Sequence, residues 1–156
     1  MRPPARGSSY DPLGVFAWIV RLMIRRAVRQ VNAGDVDAAL RTYARDAVLV
    51  YPGRHSWAGE HLGRDAIERF LRRFVRVGIR GEAHEILVKG PPWNTTVCVR
   101  FTDEARASDG SVVYANRAIL FGRVVWGKIV YQEDYVDTQA VAAFDDYLTE
   151  HEPPEP

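Results

Sequence analysis

The sequence has very little cysteine, with Cys98 as the single thiol in 156 residues. One thiol cannot form an internal disulfide or a cysteine-rich zinc site, so disulfide scaffolds and zinc fingers are excluded. A chain of this length buries about two thirds of the surface that its unfolded form exposes, so it needs no such cross-link to fold. The cysteine usage favours a reducing compartment, and we expect a cytoplasmic protein.

The chain also lacks a charge excess and a long hydrophobic run. Its 21 Lys and Arg residues against 20 Asp and Glu residues give a net charge of +1. This is far from the basic surplus that drives binding to phosphate backbones, so we expect no nucleic-acid partner. The apolar run from Leu13 to Val20 ends at Arg21. It is much shorter than the roughly 20 residues of a membrane-spanning helix, and we expect no membrane partner.

Motifs that hold metals or phosphates are missing as well. No two of the four histidines stand at a spacing typical of a metal site. The group Glu82, His84 and Glu85 matches no known ligand set. Glycine-rich phosphate loops and a Ser/His/Asp order are not found either. The sequence therefore predicts no metal and no cofactor.

Turn-forming residues are concentrated at the two ends of the chain. Pro3, Pro4 and Gly7 stand near the start, and the chain ends with the letters EPPEP. Such segments rarely pack, so we predict flexible tails over residues 1–10 and 152–156. Between them there is no repeat, low-complexity stretch or linker. Residues 11–151 are therefore predicted to form a single domain.

Two hydrophobic periods divide this domain. Apolar residues at three- and four-residue spacing predict helices over residues 14–31, 36–43, 64–74 and 138–149, with Asp35 and Asp137 as candidate N-caps. Alternating patterns predict strands over residues 47–51, 82–89, 95–105, 112–125 and 128–136, with a brief bridge at residues 57–59. The connections between the last four strands are short and polar, which favours an antiparallel meander.

The order of these elements predicts an α+β fold. A long antiparallel sheet twists and curls, and helices packed on its concave side leave a cavity at the open end. We therefore expect a curved antiparallel sheet wrapped around the N-terminal helices, forming a cone with an apolar pocket.

Three segments carry a family resemblance. They are the helix-to-strand passage of residues 32–48, the block of residues 57–67 with the letters WAG and GRDAI, and the ending of residues 127–138 with the letters DYVDT. Together they resemble the nuclear transport factor 2-like superfamily, and within it the SnoaL-like polyketide cyclase and ketosteroid isomerase-like branch. The resemblance implies the cone fold, a small hydrophobic ligand and a homodimer formed through the sheet. Members differ in activity, so the fold alone does not give the function.

Asp134 is the leading candidate catalytic residue. The letters DYVD from Asp134 to Asp137 are similar to the strand ending DYFD that supplies an inward carboxylate in limonene epoxide hydrolase. An apolar pocket disfavours the charged carboxylate and raises its pKa toward the range useful for proton transfer. The alternative is a solvated strand face or an arginine pair. Alternation leaves both open, because Val130 and Val136 share the parity of Asp134 while Ile129 and Tyr131 have the other.

Tyr114 and Asn116 are the other candidate catalytic residues. They share one strand face with Ala118, and by the resemblance this face looks into the pocket. They stand where limonene epoxide hydrolase has its Arg-x-Asp pair, so the Asp-Arg-Asp arrangement of that enzyme is not expected here. An amide and a phenol suit the orientation of a substrate carbonyl better than hydrolysis. The alternative role is to fill a buried cavity with satisfied polar groups.

Two functions are favoured by the sequence, ahead of an epoxide hydrolase-like activity. The first is a cofactor-free isomerase or cyclase that uses Asp134 as general acid/base on a hydrophobic carbonyl substrate, and the second is a non-catalytic binding or dimerisation module. In either case the candidate ligand-binding residues are Tyr43, Tyr51, His55, Trp57, Ala118 and Gln132. Of these, His55 is either a second acid-base group at the pocket entrance or an exposed loop residue.

Overall fold

The computed structural model describes residues 12–154, so the predicted N-terminal tail and the start of the domain lie outside the described residues. It confirms the α+β fold. The elements are α1 (Pro12–Asn32), α2 (Val36–Leu40), β1 (Tyr43–Tyr51), β2 (Gly59–Leu62), α3 (Arg64–Arg76), β3 (Arg80–Lys89), β4 (Thr95–Arg106), β5 (Val112–Val125), β6 (Lys128–Tyr135) and α4 (Thr138–His151). None of the helices within residues 12–154 has the length and apolar character needed to cross a membrane.

The strands form one sheet in the order β2-β1-β6-β5-β4-β3. As expected from the short connections, β3 to β6 form an antiparallel meander. β1 pairs antiparallel with β2 but parallel with β6 on its other side. The register shifts in all three pairs of the meander. Such bulges bend a strand and increase its twist, which accounts for the curved, open sheet.

The boundary between α2 and β1 differs from the sequence prediction. The helix ends at Leu40, and Tyr43 is the first residue of a nine-residue strand and not the last residue of a helix. The backbone explains the difference, because the Thr42 carbonyl accepts a hydrogen bond from Ile129 N at 2.8 Å. Pairing with β6 therefore overrides the helical spacing of Tyr43. The brief bridge predicted at residues 57–59 also differs from the structure, in which the strand β2 begins at Gly59 and ends at Leu62.

The helices cover the sheet with separate apolar faces. α1 packs on β3 with Val20 and Ile24 in the core, and α3 packs on β1 with Ile67 fully buried. α4 lies on β5, where Phe144 stacks on Tyr114 with the ring centroids 4.6 Å apart. Burial of each of these side chains stabilises the fold by about 1.5–3 kcal/mol. The three helices thus enclose the space in front of the sheet.

The C-terminal end of α4 is tied to α3 by charge. Glu152 forms ion pairs with Arg73 at 2.7 Å and with Arg76 at 2.9 Å. Hydrogen bonding to Arg73 lowers the pKa of Glu152 to about 2. Glu152 is the first residue of the predicted C-terminal tail, and the structure holds it against the domain.

Candidate active site

The helices and the sheet enclose a cavity of about 120 Å³. Its walls are mostly apolar side chains from α1, α3 and the concave face of the sheet. Six polar residues also line it, namely Asn32, Tyr43, Tyr51, Asp103, Gln132 and Asp134. None of the described lining residues is Lys, Arg or His. Apolar walls with a few convergent polar groups are typical of a small-molecule site.

A larger polar cleft of about 900 Å³ lies beside this cavity. Arg80, Glu82 and Arg117 are among the charged residues that line it. Gly81 and Asp103 line both spaces. The cleft therefore adjoins the cavity at these two residues, and a ligand that enters there passes the Asp103 carboxyl group.

Asp134 lines the cavity and is buried, which decides between the two orientations that the sequence leaves open. Gln132 Nε2 donates a hydrogen bond to Asp134 Oδ1 at 2.9 Å, and Tyr43 Oη donates to Gln132 Oε1 at 2.6 Å. Burial raises the pKa of Asp134 to about 7, against the opposing effect of the Gln132 hydrogen bond. Burial also raises the pKa of Tyr43, which therefore stays protonated. The carboxyl group of Asp134 is thus held in place and titrates near neutral pH.

A bulge in β6 explains why Asp134 points inward. Ile129 pairs with Val124 and Tyr131 pairs with Arg123. Because Val124 and Arg123 are neighbours in β5, β6 contains one extra residue, Val130, at this point. The extra residue reverses the alternation of the strand. Ile129 faces the cavity before the bulge, and Gln132 and Asp134 face it after the bulge.

Asp103 is a second carboxyl group in the cavity, and it is not among the residues predicted from the sequence. It is only 7% exposed, and burial raises its pKa to about 6 although a hydrogen bond from Tyr114 acts in the opposite direction. Its Oδ1 atom is buried and has no hydrogen-bond partner among the described residues. A buried, unpaired carboxyl oxygen costs free energy unless a proton or a ligand satisfies it.

The strand pattern contains a signal for Asp103. Inward and outward residues alternate along β4, and its inward row is Val97, Val99, Phe101, Asp103 and Ala105. A carboxylate within an apolar row points into the core and is therefore unusual. This parity could have identified Asp103 from the sequence.

Tyr51 and Tyr114 connect to Asp103 through hydroxyl groups. The Tyr51 hydroxyl donates to Tyr114, and the Tyr114 hydroxyl donates to Asp103. Burial raises the pKa of both phenols, so both stay protonated. Tyr51 lines the cavity, whereas Tyr114 lies behind it against Phe144. Tyr114 therefore orients the Asp103 carboxyl group and is not placed to touch a ligand.

Asn116 is occupied by the backbone of the β6–α4 junction. Its Nδ2 atom donates to Asp137 O at 3.1 Å and to Tyr114 Oη at 3.2 Å. Its Oδ1 atom accepts from Asp137 N at 3.1 Å. Asn116 lines the outer cleft rather than the cavity. These hydrogen bonds give Asn116 a positioning role, and its contact with a substrate carbonyl stays a prediction.

The predicted ligand-binding residues fall into two groups. Tyr43, Tyr51, Ala118 and Gln132 line the cavity. His55 and Trp57 do not, because they lie in the loop between β1 and β2. The His55 ring packs edge-on against Tyr51 at 5.8 Å, and Trp57 is buried between Phe70 and the Arg73 guanidinium. They support the wall from behind.

The cavity offers carboxyl, phenol and amide groups and no set of metal ligands. Within residues 12–154, no group of three or more His, Cys, Asp or Glu side chains is arranged to hold a metal ion. The chemistry that this arrangement supports is proton transfer between a ligand and two carboxyl groups of unequal pKa.

Comparison with known proteins gives one family and many similar folds. The model of a family described as the SnoaL-like domain matches residues 24–132, which is more than half of the chain. No curated protein matches the sequence significantly. Bal32a, from a soil-derived mobile gene cassette, is similar in structure with a TM-score of 0.69 and 20% identity, covering 83% of this chain and 98% of Bal32a.

TerC and SalBIII are two further proteins with structures similar to this chain. TerC, co-crystallised with polyporic acid, has a TM-score of 0.66 and 20% identity, over 81% of this chain and 98% of TerC. The epoxide hydrolase/cyclase-like enzyme SalBIII, of pyran ring formation in the polyether salinomycin, has a TM-score of 0.66 and 18% identity, over 79% of this chain and 94% of SalBIII. At this level of identity these likenesses show the fold alone.

Proposed function

The chain belongs to the SnoaL-like domain family of small-molecule pocket proteins, and from this premise we propose that it is a cofactor-independent isomerase or cyclase. Its proposed reaction is the transfer of a proton on a hydrophobic carbonyl compound bound in the cavity. Asp134 and Asp103 are the acid-base groups, and the apolar walls hold the carbon skeleton of the substrate.

The observation that carries this proposal is the presence of two buried carboxyl groups in one apolar cavity. Burial raises the pKa of Asp103 to about 6 and that of Asp134 to about 7. The charge of Asp103 also raises the pKa of Asp134, so loss of the first proton makes loss of the second harder and leaves one base and one acid. A pair in opposite protonation states supplies a base and an acid at the same pH.

The contacts of the two groups suggest how they share the reaction. The Asp103 carboxylate removes a proton from the carbon next to the carbonyl group, while Asp134 gives its proton to the carbonyl oxygen as the C=O double bond becomes a single bond. The electron pair of the broken C–H bond forms the C=C bond of an enol. With an unsaturated ketone the enol is a dienol, and return of the proton from Asp103 to its far carbon, with the enol O–H proton going back to Asp134, completes an isomerisation. With a diketone, attack of the enol carbon on the second carbonyl group completes a cyclisation, in which the oxygen of that group takes the proton from Asp103 and the enol O–H proton returns to Asp134. Positioned acids and bases of this kind each contribute about 10²- to 10⁴-fold in rate.

The surrounding hydrogen bonds keep both carboxyl groups in position. The Tyr114 hydroxyl donates a hydrogen bond to Asp103, and the Gln132 amide donates one to Asp134. Tyr43 in turn donates a hydrogen bond to Gln132. Because burial keeps the phenols protonated, these supports do not change charge across the pH range of the reaction. The base and the acid are therefore pre-organised before a substrate binds.

Opening of an epoxide is a second candidate function. A protonated carboxyl group suits a strained ether oxygen as well as a carbonyl oxygen, and SalBIII, similar in fold, is described as epoxide hydrolase/cyclase-like. The cavity contains no arginine among its described lining residues, so the Asp-Arg-Asp arrangement of limonene epoxide hydrolase is not reproduced. This function therefore takes second place.

The test follows deuterium exchange at the carbons next to the carbonyl group of cyclohexanone in D₂O by NMR. We expect the wild-type protein to accelerate exchange, and Asp134→Asn and Asp103→Asn each to lose about 100-fold or more. Glu85→Gln is the matched control, because Glu85 is exposed on β3, where it pairs with Arg100, and does not line the cavity. It should exchange at the wild-type rate.

Three results would contradict the proposal. Exchange no faster than in buffer at any pH rejects the carbonyl reaction, and faster turnover of cyclohexene oxide in a parallel assay favours the second candidate. Unchanged exchange in Asp134→Asn rejects the assigned role of that residue. Binding of cyclohexanone without exchange of its protons favours a non-catalytic binding module.

A further inference from the structure

We infer that the ligand of this cavity is an uncharged molecule of about one ring in size, because further apolar rings would have to lie in the charged cleft outside it. The inference rests on the proposed function in treating that ligand as the substrate, but it concerns binding and is measured separately from turnover. The cavity volume of about 120 Å³ is the first observation. An engineered apolar cavity of about 150 Å³ in another protein holds one benzene molecule.

Packing of Phe101 fixes one wall of the cavity. A Cβ atom at position 81 would overlap the Phe101 ring, so the ring lies where a side chain of residue 81 would stand. The Asn32 amide binds both Gly81 N, at 2.9 Å, and Gly81 O, at 2.8 Å, which holds this stretch of β3 against α1. The wall therefore has a fixed backbone behind it, and the ring cannot retreat to admit a larger ligand without moving β3.

Phe74 of α3 is the second large ring that limits the cavity. It lines the cavity beside Phe70 and Leu71, and it is only partly buried. Small residues, Ala27, Ala39 and Ala118, form other parts of the lining. The available space thus depends on a few large rings, and removal of one ring changes it by about the volume of one ligand ring.

The charge of the lining gives the second observation. Two carboxyl groups face the cavity, and the described lining residues contain no Lys, Arg or His. A bound carboxylate or phosphate would be buried beside Asp103 or Asp134 without a cation. Burial of an unpaired charge is strongly unfavourable, and a like charge nearby makes it more so. The lining therefore selects against anionic ligands of the same size.

The experiment measures dissociation constants by calorimetry for four probes: cyclohexanone, 2-decalone, the four-ring ketone androst-4-ene-3,17-dione, and cyclohexanecarboxylate. For the wild-type protein at pH 7.5 we expect cyclohexanone to bind at least about tenfold more tightly than each of the other three. Phe74→Leu and Phe74→Ala form a graded pair of variants. They should shift the preference toward 2-decalone, with the larger shift for alanine, and Trp93→Ala is the control on an exposed loop.

Each result decides one claim. Equal or tighter binding of the four-ring ketone overturns the size limit, and equal binding of cyclohexanecarboxylate overturns the charge limit. Failure of cyclohexanone to bind at millimolar concentration overturns the inference as a whole. Binding in the expected order without proton exchange leaves the inference standing and contradicts the proposed function, so the two failures are distinguishable.

Discussion

Asp134 and Asp103 are carboxyl groups that the fold removes from water, and this has a cost that depends on pH. In an unfolded chain an aspartate has a pKa near 3.9, while burial raises that of Asp134 to about 7. The unfolded state therefore releases the proton at lower pH than the folded state. The stability associated with Asp134 is present below about pH 4 and is lost as the pH rises through 7, a change of about 4 kcal/mol.

We therefore predict that the free energy of unfolding of the wild-type protein falls between pH 5 and pH 8. Asp134→Asn should show a shallower fall, with the remainder due to Asp103, and should be more stable than wild type at pH 8. Urea denaturation at several pH values measures this. Glu152, whose pKa is held low by Arg73, contributes in the opposite direction below pH 5, outside this window. Identical slopes for Asp134→Asn and wild type would mean that Asp134 is not buried.

Asp134 is predicted from the sequence as a site residue and Asp103 is not, and the two outcomes have different physical reasons. Asp134 is predicted only through the resemblance of its strand ending, because alternation does not decide whether its side chain faces the cavity or solvent. Asp103 lies in a regular apolar alternation, and parity alone would have placed it inside. The hydrogen bonds of Asn116 to the Asp137 backbone could not be predicted, because they depend on where α4 begins relative to β5.

The β6–α4 junction, which is held by Asn116 of β5, is the element-scale feature that supports the site. The Asn116 side chain bonds the amide and the carbonyl of Asp137, and Asp137 in turn caps α4 through its side chain. The side-chain amide of Asn116 also donates a hydrogen bond to the hydroxyl group of Tyr114, which orients Asp103. The position of one helix end is thus linked to the position of the Asp103 carboxyl group, one of the two proposed acid-base groups.

Asn116→Ala should lower the free energy of unfolding by about 1–3 kcal/mol, because it leaves backbone groups of Asp137 unpaired. Urea denaturation with Asn94→Ala as the control measures this, since Asn94 is exposed in the β3–β4 loop. The two variants should differ by more than about 1 kcal/mol. A loss as small as that of Asn94→Ala would show that Asn116 does not hold the junction.

At the element scale, periodicity predicted the helices and strands but not their irregularities. The predicted second helix extended to Tyr43 because Val36, Ala39, Leu40 and Tyr43 share helical spacing. In the structure the helix ends at Leu40, because the Thr42 carbonyl accepts a hydrogen bond from Ile129 N of β6 and the chain continues as a strand. The bulge between Ile129 and Tyr131 is likewise set by pairing with β5 and leaves no local pattern. That bulge is what turns Asp134 inward.

At the scale of the whole molecule, the outer face of the sheet is the surface that we propose forms a homodimer. Ile119 and Tyr135 are neighbours across β5 and β6 and are 39% and 55% exposed. Leu87 on β3 is also exposed. Exposed apolar residues on a broad sheet face favour association with a second copy of the same face.

Ile119→Glu should convert the proposed dimer to a monomer, because it would bury an unpaired charge in the apolar interface. Light scattering after size-exclusion chromatography gives the mass. Leu62→Glu is the control, since Leu62 is exposed on the edge strand β2. A wild-type mass of one chain would reject the dimer, and a dimer that survives Ile119→Glu would place its interface elsewhere.

The most direct test of the acid-base assignment is the pH dependence of cyclohexanone exchange by the wild-type protein. One ionised and one protonated carboxyl group are required, so the rate should pass through a maximum between about pH 6 and pH 7 and fall on both sides. Asp134→Asn should remove the maximum. A rate that is independent of pH from 5 to 8, or a maximum that persists in Asp134→Asn, would contradict the account.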